Sequence, residues 1–331
     1  MNYRSLLAAA VATVAVSQPV SALNIILTND DGWDTDNIQA LFGALENAGH
    51  DVILSAPCTG QSGTGGAIRF VEPVSIDDSQ IAQDQACVGD TDETVPYEDF
   101  VPGTPVMAAL YGIDVLAINK WGTQPDLVIS GPNEGNNLGY LTNNSGTLGA
   151  ANIAIARGLP AIAVSAATSD ADTAEAVADV VVEMVAELEA QQTEGQALLP
   201  LYTGLNVNFP EDVINSPGIR FTDVGWYAGF DVVFSADLSQ NDDILGFVAQ
   251  GIIEAGVTDD FNVALEIARS QFAGQAGISV DQDSVSQDTN ENSEGRAIEQ
   301  GYITVSTIEA NVQASRAKTA LTRIRLNGLV D

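Results

Sequence analysis

Residues 24 to 55 switch between two hydrophobic periodicities, and that switch restricts the possible folds more than any other feature of the chain. Asn24-Ile-Ile-Leu-Thr28 is a short apolar run that stops at Asn29-Asp30-Asp31-Gly32, the pattern of a buried strand followed by a loop. Asn37 to Ala48 carries apolar residues at helical spacing (Ile38, Leu41, Leu45, Ala48) and closes on Gly49, a helix C-terminal signal. Val52 to Ser55 is a second apolar run, stopped by Pro57. Strand, helix and strand in this order predict a parallel sheet with right-handed crossovers. The alternation continues with a helix from Thr104 to Tyr111, a strand from Leu127 to Ser130 and an Ala-rich helix from Thr147 to Arg157. A strand from Ala161 to Ser165 and an amphipathic helix from Asp172 to Ala190 follow, with Asp172 placed as N-cap. After Gln191 the pattern loosens. Leu205 to Pro210 reads as a strand, Ile219 to Phe234 has β character, Asp281 to Glu294 is a polar surface excursion, and Val312 to Arg325 is helical. The expected fold class is α/β, one large domain over 23–331.

The charge narrows the partners. There are 45 acidic and 11 basic residues, a formal net charge of −34. Such a surface repels nucleic-acid polymers and anionic membranes, so neither is expected as a partner. An anionic substrate would need a local positive charge, which a metal ion supplies. Arg316, Lys318, Arg323 and Arg325 gather near the C-terminus; that helix is compatible with docking on its own chain, docking on a second subunit, or simple solvation.

Residues 1–22 read as a signal peptide: Arg4, an apolar run from Leu6 to Val16, and the small-residue cleavage pattern Val20-Ser21-Ala22. The protein is therefore expected to be exported, to a periplasm or the medium. In an exported chain Cys58 and Cys87 are expected to pair, free buried thiols being the alternative. The sequon Asn143-Asn144-Ser145 overlaps a site motif and is expected to carry no glycan.

Elimination sets the chemistry. His50 is the single histidine and falls in the turn before the second strand, on the edge of a parallel sheet opposite to where ligands bind. Ser-His-Asp hydrolases and two-histidine zinc sites are thereby excluded. No P-loop is present, and Cys58 lacks the arginine that a cysteine phosphatase requires. Carboxylates, amides, hydroxyls and backbone N–H groups remain, the ligands of hard cations such as Mg²⁺ or Mn²⁺.

Three loops follow apolar runs at their carboxyl ends. The first holds Asp30 and Asp31, with Gly32 supplying conformational freedom; alone it is equally readable as an ordinary Asp-Asp turn. The second holds Gln61-Ser62-Gly63 and the third runs from Ser130 to Gly139 through Asn133 and Asn137. Asp30, Asp31, Ser62 and Asn133 make an oxygen-only partial shell. Asn144-Ser145-Gly146-Thr147 precedes the Ala-rich helix, as an anion site or a simple N-cap. A hard-metal shell beside an anion site describes a phosphate-ester hydrolase.

These residues resemble the SurE family of survival-protein nucleotidases and acid phosphatases. The matching motifs are Ile26-Leu27-Thr28-Asn29-Asp30-Asp31-Gly32, Gln61-Ser62-Gly63, Gly103-Thr104-Pro105, Pro125 to Gly131 through Asn133, Asn137-Leu138-Gly139 and Ser145 to Ala151. Gly158 to Ser165 also matches, with weaker likeness at Leu205 to Asn208 and Gly301 to Val305. The resemblance implies a Rossmann-like three-layer fold with a β-hairpin extension, dimers or tetramers, and a divalent metal. It places the metal on Asp30, Asp31, Ser62 and Asn133, with Asp30 and Asp31 catalytic. It places phosphate contacts on Ser145, Gly146 and Thr147 beside Asn137. The implied activity is removal of phosphate from nucleoside monophosphates. The alternatives are a broad-specificity exported acid phosphatase, a mechanism with Asp30 as covalent nucleophile, and a non-catalytic phosphate- or nucleotide-binding protein.

Overall fold

A computed structural model describes residues 22–91, 100–168, 170–193, 195–281 and 288–329. Residues 1–21 of the expected signal peptide, 92–99 of the acidic stretch and 282–287 of the polar excursion lie outside the described residues.

The expected β-α-β unit is β1 (Asn24–Thr28), α1 (Asp36–Asn47) and β2 (Asp51–Pro57). The edge pair β3 (Ile76–Asp77) and β4 (Gln85–Val88) follows. Helix α2 (Pro105–Tyr111) begins where expected, but it runs on through a π turn at Gly112–Leu116 into α3 (Ala117–Trp121). Next come β5 (Leu127–Glu134), α4 (Gly146–Ala156), β6 (Ala161–Ala166), α5 (Ala171–Gln191) and β7 (Thr203–Phe209). The N-cap of α5 is Asp170, not Asp172: Asp170 has extended backbone and accepts the Thr173 N–H at 3.1 Å, whereas Asp172 already lies in the first turn.

The loosely patterned C-terminal third holds more structure than its sequence shows. It contains β8 (Ile219–Thr222), β9 (Asp231–Ser235), α6 (Asp242–Glu254), α7 (Phe261–Gln271) and β10 (Gly277–Asp281). It ends with α8 (Glu294–Glu299), β11 (Ile303–Glu309) and α9 (Arg316–Arg325). The β character over 219–234 is split between two sheets. β8 joins the main sheet, while β9 pairs antiparallel with β10 in a two-stranded extension. Helices α6 and α7 lie between those two strands, so the extension is an antiparallel ribbon rather than a tight hairpin.

The main sheet has nine strands in the order β3-β4-β2-β1-β5-β6-β7-β11-β8. Strands β4 through β7 in that order are all parallel, and β11 runs antiparallel to β7. The central strands are apolar on both faces because helices cover both. Ile25 and Leu27 pack toward α1 and α5, and Ile26 and Val128 pack toward the α2–α3 run and α4. This is the three-layer α/β order expected. Among the described residues no helix is long and apolar enough to cross a membrane.

Candidate functional site

Strands β1 and β5 lie side by side at the centre of the sheet, Thr28 opposite Ser130. Their carboxyl ends therefore deliver Asp30, Asp31 and Asn133 to one place. Gly32 holds φ +128°, a conformation L side chains rarely adopt, and it lets the chain turn sharply after the two carboxylates. Its N–H donates to Asn29 Oδ1 at 3.2 Å. Strand β5 does not stop at Ser130. It shifts register after a cis Gly131–Pro132 bond and resumes with Asn133 opposite Ser165 of β6. Asn133 is thus a strand residue rather than a loop residue.

Asp30 is 3% exposed. Thr147 Oγ1 donates to its Oδ1 at 2.5 Å. Burial pushes the Asp30 carboxyl up, opposed by the Thr147 hydroxyl and by backbone N–H groups including those of Gly146 and Thr147. The first-turn N–H groups of α4, expected to be free, are thus directed at Asp30. The Leu148 N–H is taken by the N-cap Ser145 Oγ at 3.2 Å. Gly146 makes this approach possible, since a Cβ there would sit 2.8 Å from Asp30 Cβ.

Asp31 Oδ2 accepts the Glu134 N–H at 2.8 Å. Its carboxyl is pushed up to about 7, first by burial, then by the Asp30 charge, with the Glu134 charge adding to the rise. Asn133 Nδ2 donates to the Gly135 carbonyl at 2.5 Å, which commits the amide nitrogen and leaves the carbonyl oxygen as its ligand atom. The loop after β2 closes over this pair: the Gln61 N–H donates to the Asp30 carbonyl at 2.7 Å, and Ser62, next along the chain, is solvent-exposed.

Two adjacent carboxylates, Asp30 buried and Asp31 half-buried, raise each other's charging cost, which a divalent cation relieves. With the Asn133 amide oxygen they offer oxygen atoms of the kind that hard cations take. Among the described residues no group of three or more His, Cys, Asp or Glu side chains is placed to hold a metal ion, so the carboxylate pair would need amide, hydroxyl or water oxygens to complete a shell. Asn137 sits beside the pair. Its Nδ2 donates to Thr147 Oγ1 at 3.3 Å and to Ser165 Oγ at 2.8 Å. The Asn137 carbonyl accepts from the amides of Asn206 and Asn208, at 3.1 and 3.2 Å.

His50 is 7% exposed on the opposite edge of the sheet, where its Nδ1 accepts the Leu23 N–H at 3.4 Å and burial lowers its pKa. Cys58 and Cys87 are joined, the first just past β2 and the second on the neighbouring β4. Gln61, Ser165, Asn206 and Asn208 are site neighbours that fall inside recognised motifs but were given no role from sequence. The signal for the last two was available: asparagines two apart in an otherwise apolar strand must both point to one face and both need partners.

The fold and the site together define a Rossmann-like α/β protein whose carboxylates meet a helix N-terminus at the carboxyl edge of a parallel sheet. The family model described as Survival protein SurE matches residues 25–228, more than half the chain, and the chain belongs to that family. It is similar to an acid phosphatase of Yarrowia lipolytica, with 36% identity over 57% of this chain and 57% of that one. It is also similar to a 5'-nucleotidase SurE of Thermosipho melanesiensis, with 34% identity over 57% of this chain and 65% of that one. The chain thus spans less than two thirds of the length of these relatives. The crystal structure of the SurE protein from Aquifex aeolicus superposes with a TM-score of 0.63, at 25% identity, covering 91% of this chain and 99% of that one.

Proposed function

We propose that this protein is a metal-dependent phosphomonoesterase acting on nucleoside monophosphates. The observation that carries the reading is the convergence of Asp30, Asp31 and Asn133 with the N-terminus of α4 at one sheet edge, in a family whose relatives are named 5'-nucleotidase and acid phosphatase. Asp30, Asp31, Ser62 and Asn133 would hold Mg²⁺ or Mn²⁺. When bound, such an ion polarises a phosphoryl oxygen and lowers the pKa of water. Ser145, Gly146 and Thr147 border the pair, and Asn137 orients the Thr147 hydroxyl. Asp31, kept as a carboxylate by the ion, would orient an attacking water and accept its proton.

Phosphate release from nucleoside monophosphates and p-nitrophenyl phosphate, with Mn²⁺ or Mg²⁺ and with chelator, tests this. The expectation is cation-dependent turnover that Asp30→Asn abolishes. Full turnover by a folded Asp30→Asn protein would remove the reading. The acid-phosphatase relative supports a second form of it, broad specificity, in which sugar phosphates are cleaved as fast as nucleotides. We also propose export, on the residue 1–22 pattern, and a dimer or tetramer. Detection in the culture medium or periplasm tests the first and light scattering the second.

A further inference from the structure

Glu294 opens α8, beyond the segment that matches the family model. It is 0% exposed. Its Oε1 accepts the Gly139 N–H at 3.1 Å, and its Oε2 accepts from Asn206 Nδ2 at 2.9 Å and Ser306 Oγ at 3.1 Å. Three donors, one of them a backbone N–H, therefore end on this one carboxyl.

Its partners lead to the site. Asn206 Nδ2, which Glu294 holds, also donates to the Asn137 carbonyl at 3.1 Å. Gly139, which Glu294 also holds, lies two residues past Asn137 and opens the 3-10 turn Gly139–Asn143. Asn137 Nδ2 then donates to Thr147 Oγ1, and Thr147 Oγ1 donates to Asp30 Oδ1. An unbroken path of hydrogen bonds thus runs from Glu294 through Asn206, Asn137 and Thr147 to Asp30.

We propose that Glu294 is a positioning residue of the site, holding the segment from Asn137 to Gly139 so that Asn137 and Thr147 are set to receive a phosphate group beside Asp30. The proposal rests on the phosphomonoesterase reading and deepens it. Asn206 Oδ1 is buried without a hydrogen-bond partner, so the orientation of that amide depends on the two acceptors facing its nitrogen, Glu294 Oε2 and the Asn137 carbonyl. Burial also pushes the Glu294 carboxyl up to about 8. As a neutral acid it can donate to Ser306, and Ser306 to Thr222 Oγ1 at 2.8 Å, while Oε2 still accepts from Asn206. A glutamine cannot copy this. Whichever way its amide turns, an NH₂ group faces either the Gly139 N–H or the Asn206 amide. If it faces Asn206, that amide flips to offer Oδ1 and releases Asn137.

The test compares wild type, Glu294→Gln, Asn206→Ala and the double variant, all as full chain with Mn²⁺. Binding of inorganic phosphate is measured by calorimetry, and kcat and KM with p-nitrophenyl phosphate. The expected result for each single variant is phosphate affinity about tenfold weaker and KM raised about tenfold, with an unfolding midpoint near wild type. The double variant should lose no more than the worse single one, because both changes cut one path. Wild-type phosphate affinity and KM in Glu294→Gln, or fully additive losses in the double variant, would overturn the proposal. Should Glu294→Gln not fold, wild-type affinity and KM in Asn206→Ala overturn it alone. A wild-type protein that turns over no phosphate ester removes the functional reading and this proposal together. Turnover by wild type with unchanged variants removes only the proposal.

Discussion

Replacing Asp31 by asparagine is expected to stabilise the metal-free protein while destroying its response to metal. The Asp31 carboxyl stands at about 7 against an ordinary value of 3.8. A gap of roughly 3 units corresponds to at most about 4 kcal/mol of destabilisation once the group is charged. Water at the partly exposed side chain screens the repulsion, and about 2 kcal/mol is the expected gain on removing the charge. The folded pKa lies above the unfolded one, so the penalty is absent below pH ~4, grows as pH rises, and is complete above pH ~7. Asparagine keeps an acceptor for the Glu134 N–H and removes the charge. In chelator at pH 8 the melting temperature of Asp31→Asn should therefore exceed wild type by roughly 3 °C, while at pH 4 the two should coincide. A cation at 100 times its dissociation constant adds about 2.7 kcal/mol to whatever binds it, so with Mn²⁺ the order should reverse. Calorimetric melts at both pH values, with chelator and with Mn²⁺, read all of this. An Asp31→Asn protein no more stable than wild type at pH 8 in chelator would refute the reasoning.

Thr147→Val keeps the shape of the side chain but removes the hydroxyl between Asp30 and Asn137. It should destabilise by about 1.5–3 kcal/mol in denaturant titrations, more at pH 8 than at pH 4 because Asp30 loses its donor when charged. Gly146→Ala would place a Cβ 3.0 Å from Asp30 Oδ2; far-UV circular dichroism should be unchanged while kcat/KM on a phosphate ester falls at least tenfold. Cys58→Ser with Cys87→Ser opens a loop of sequence separation 29. It should lower unfolding free energy by about 3–4 kcal/mol, as should reductant on wild type. Mn²⁺ binding should release protons at pH 6 and almost none at pH 8.5, read by calorimetry in buffers of different ionisation heat, because the ion competes with the proton on Asp31.

What could be read in advance divides along a physical line. Asp30, Asp31, Ser62 and Asn133 each follow an apolar run at its carboxyl end, and a parallel sheet gathers such ends at one edge, so local pattern offered them as neighbours and the family resemblance made them a ligand set. The C-terminal third yielded less for a matching reason. β9 has alternating half-buried and exposed residues, and α7 buries only Ala264 and Ala268, so neither carries the apolar run by which a core element announces itself. The support of the site was least legible. Gly139 and Glu294 are 155 positions apart and meet only because α8 folds back beside β7 and β11. No periodicity marks a lone glutamate in a chain with 45 acidic residues. Its burial, which among the described acidic residues only Asp30 shares, is what separates it from the others, and burial is set by tertiary packing. Ligands delivered by single strands are therefore legible one at a time. The hydrogen bonds that orient them depend on which distant elements become neighbours, which only the assembled fold shows.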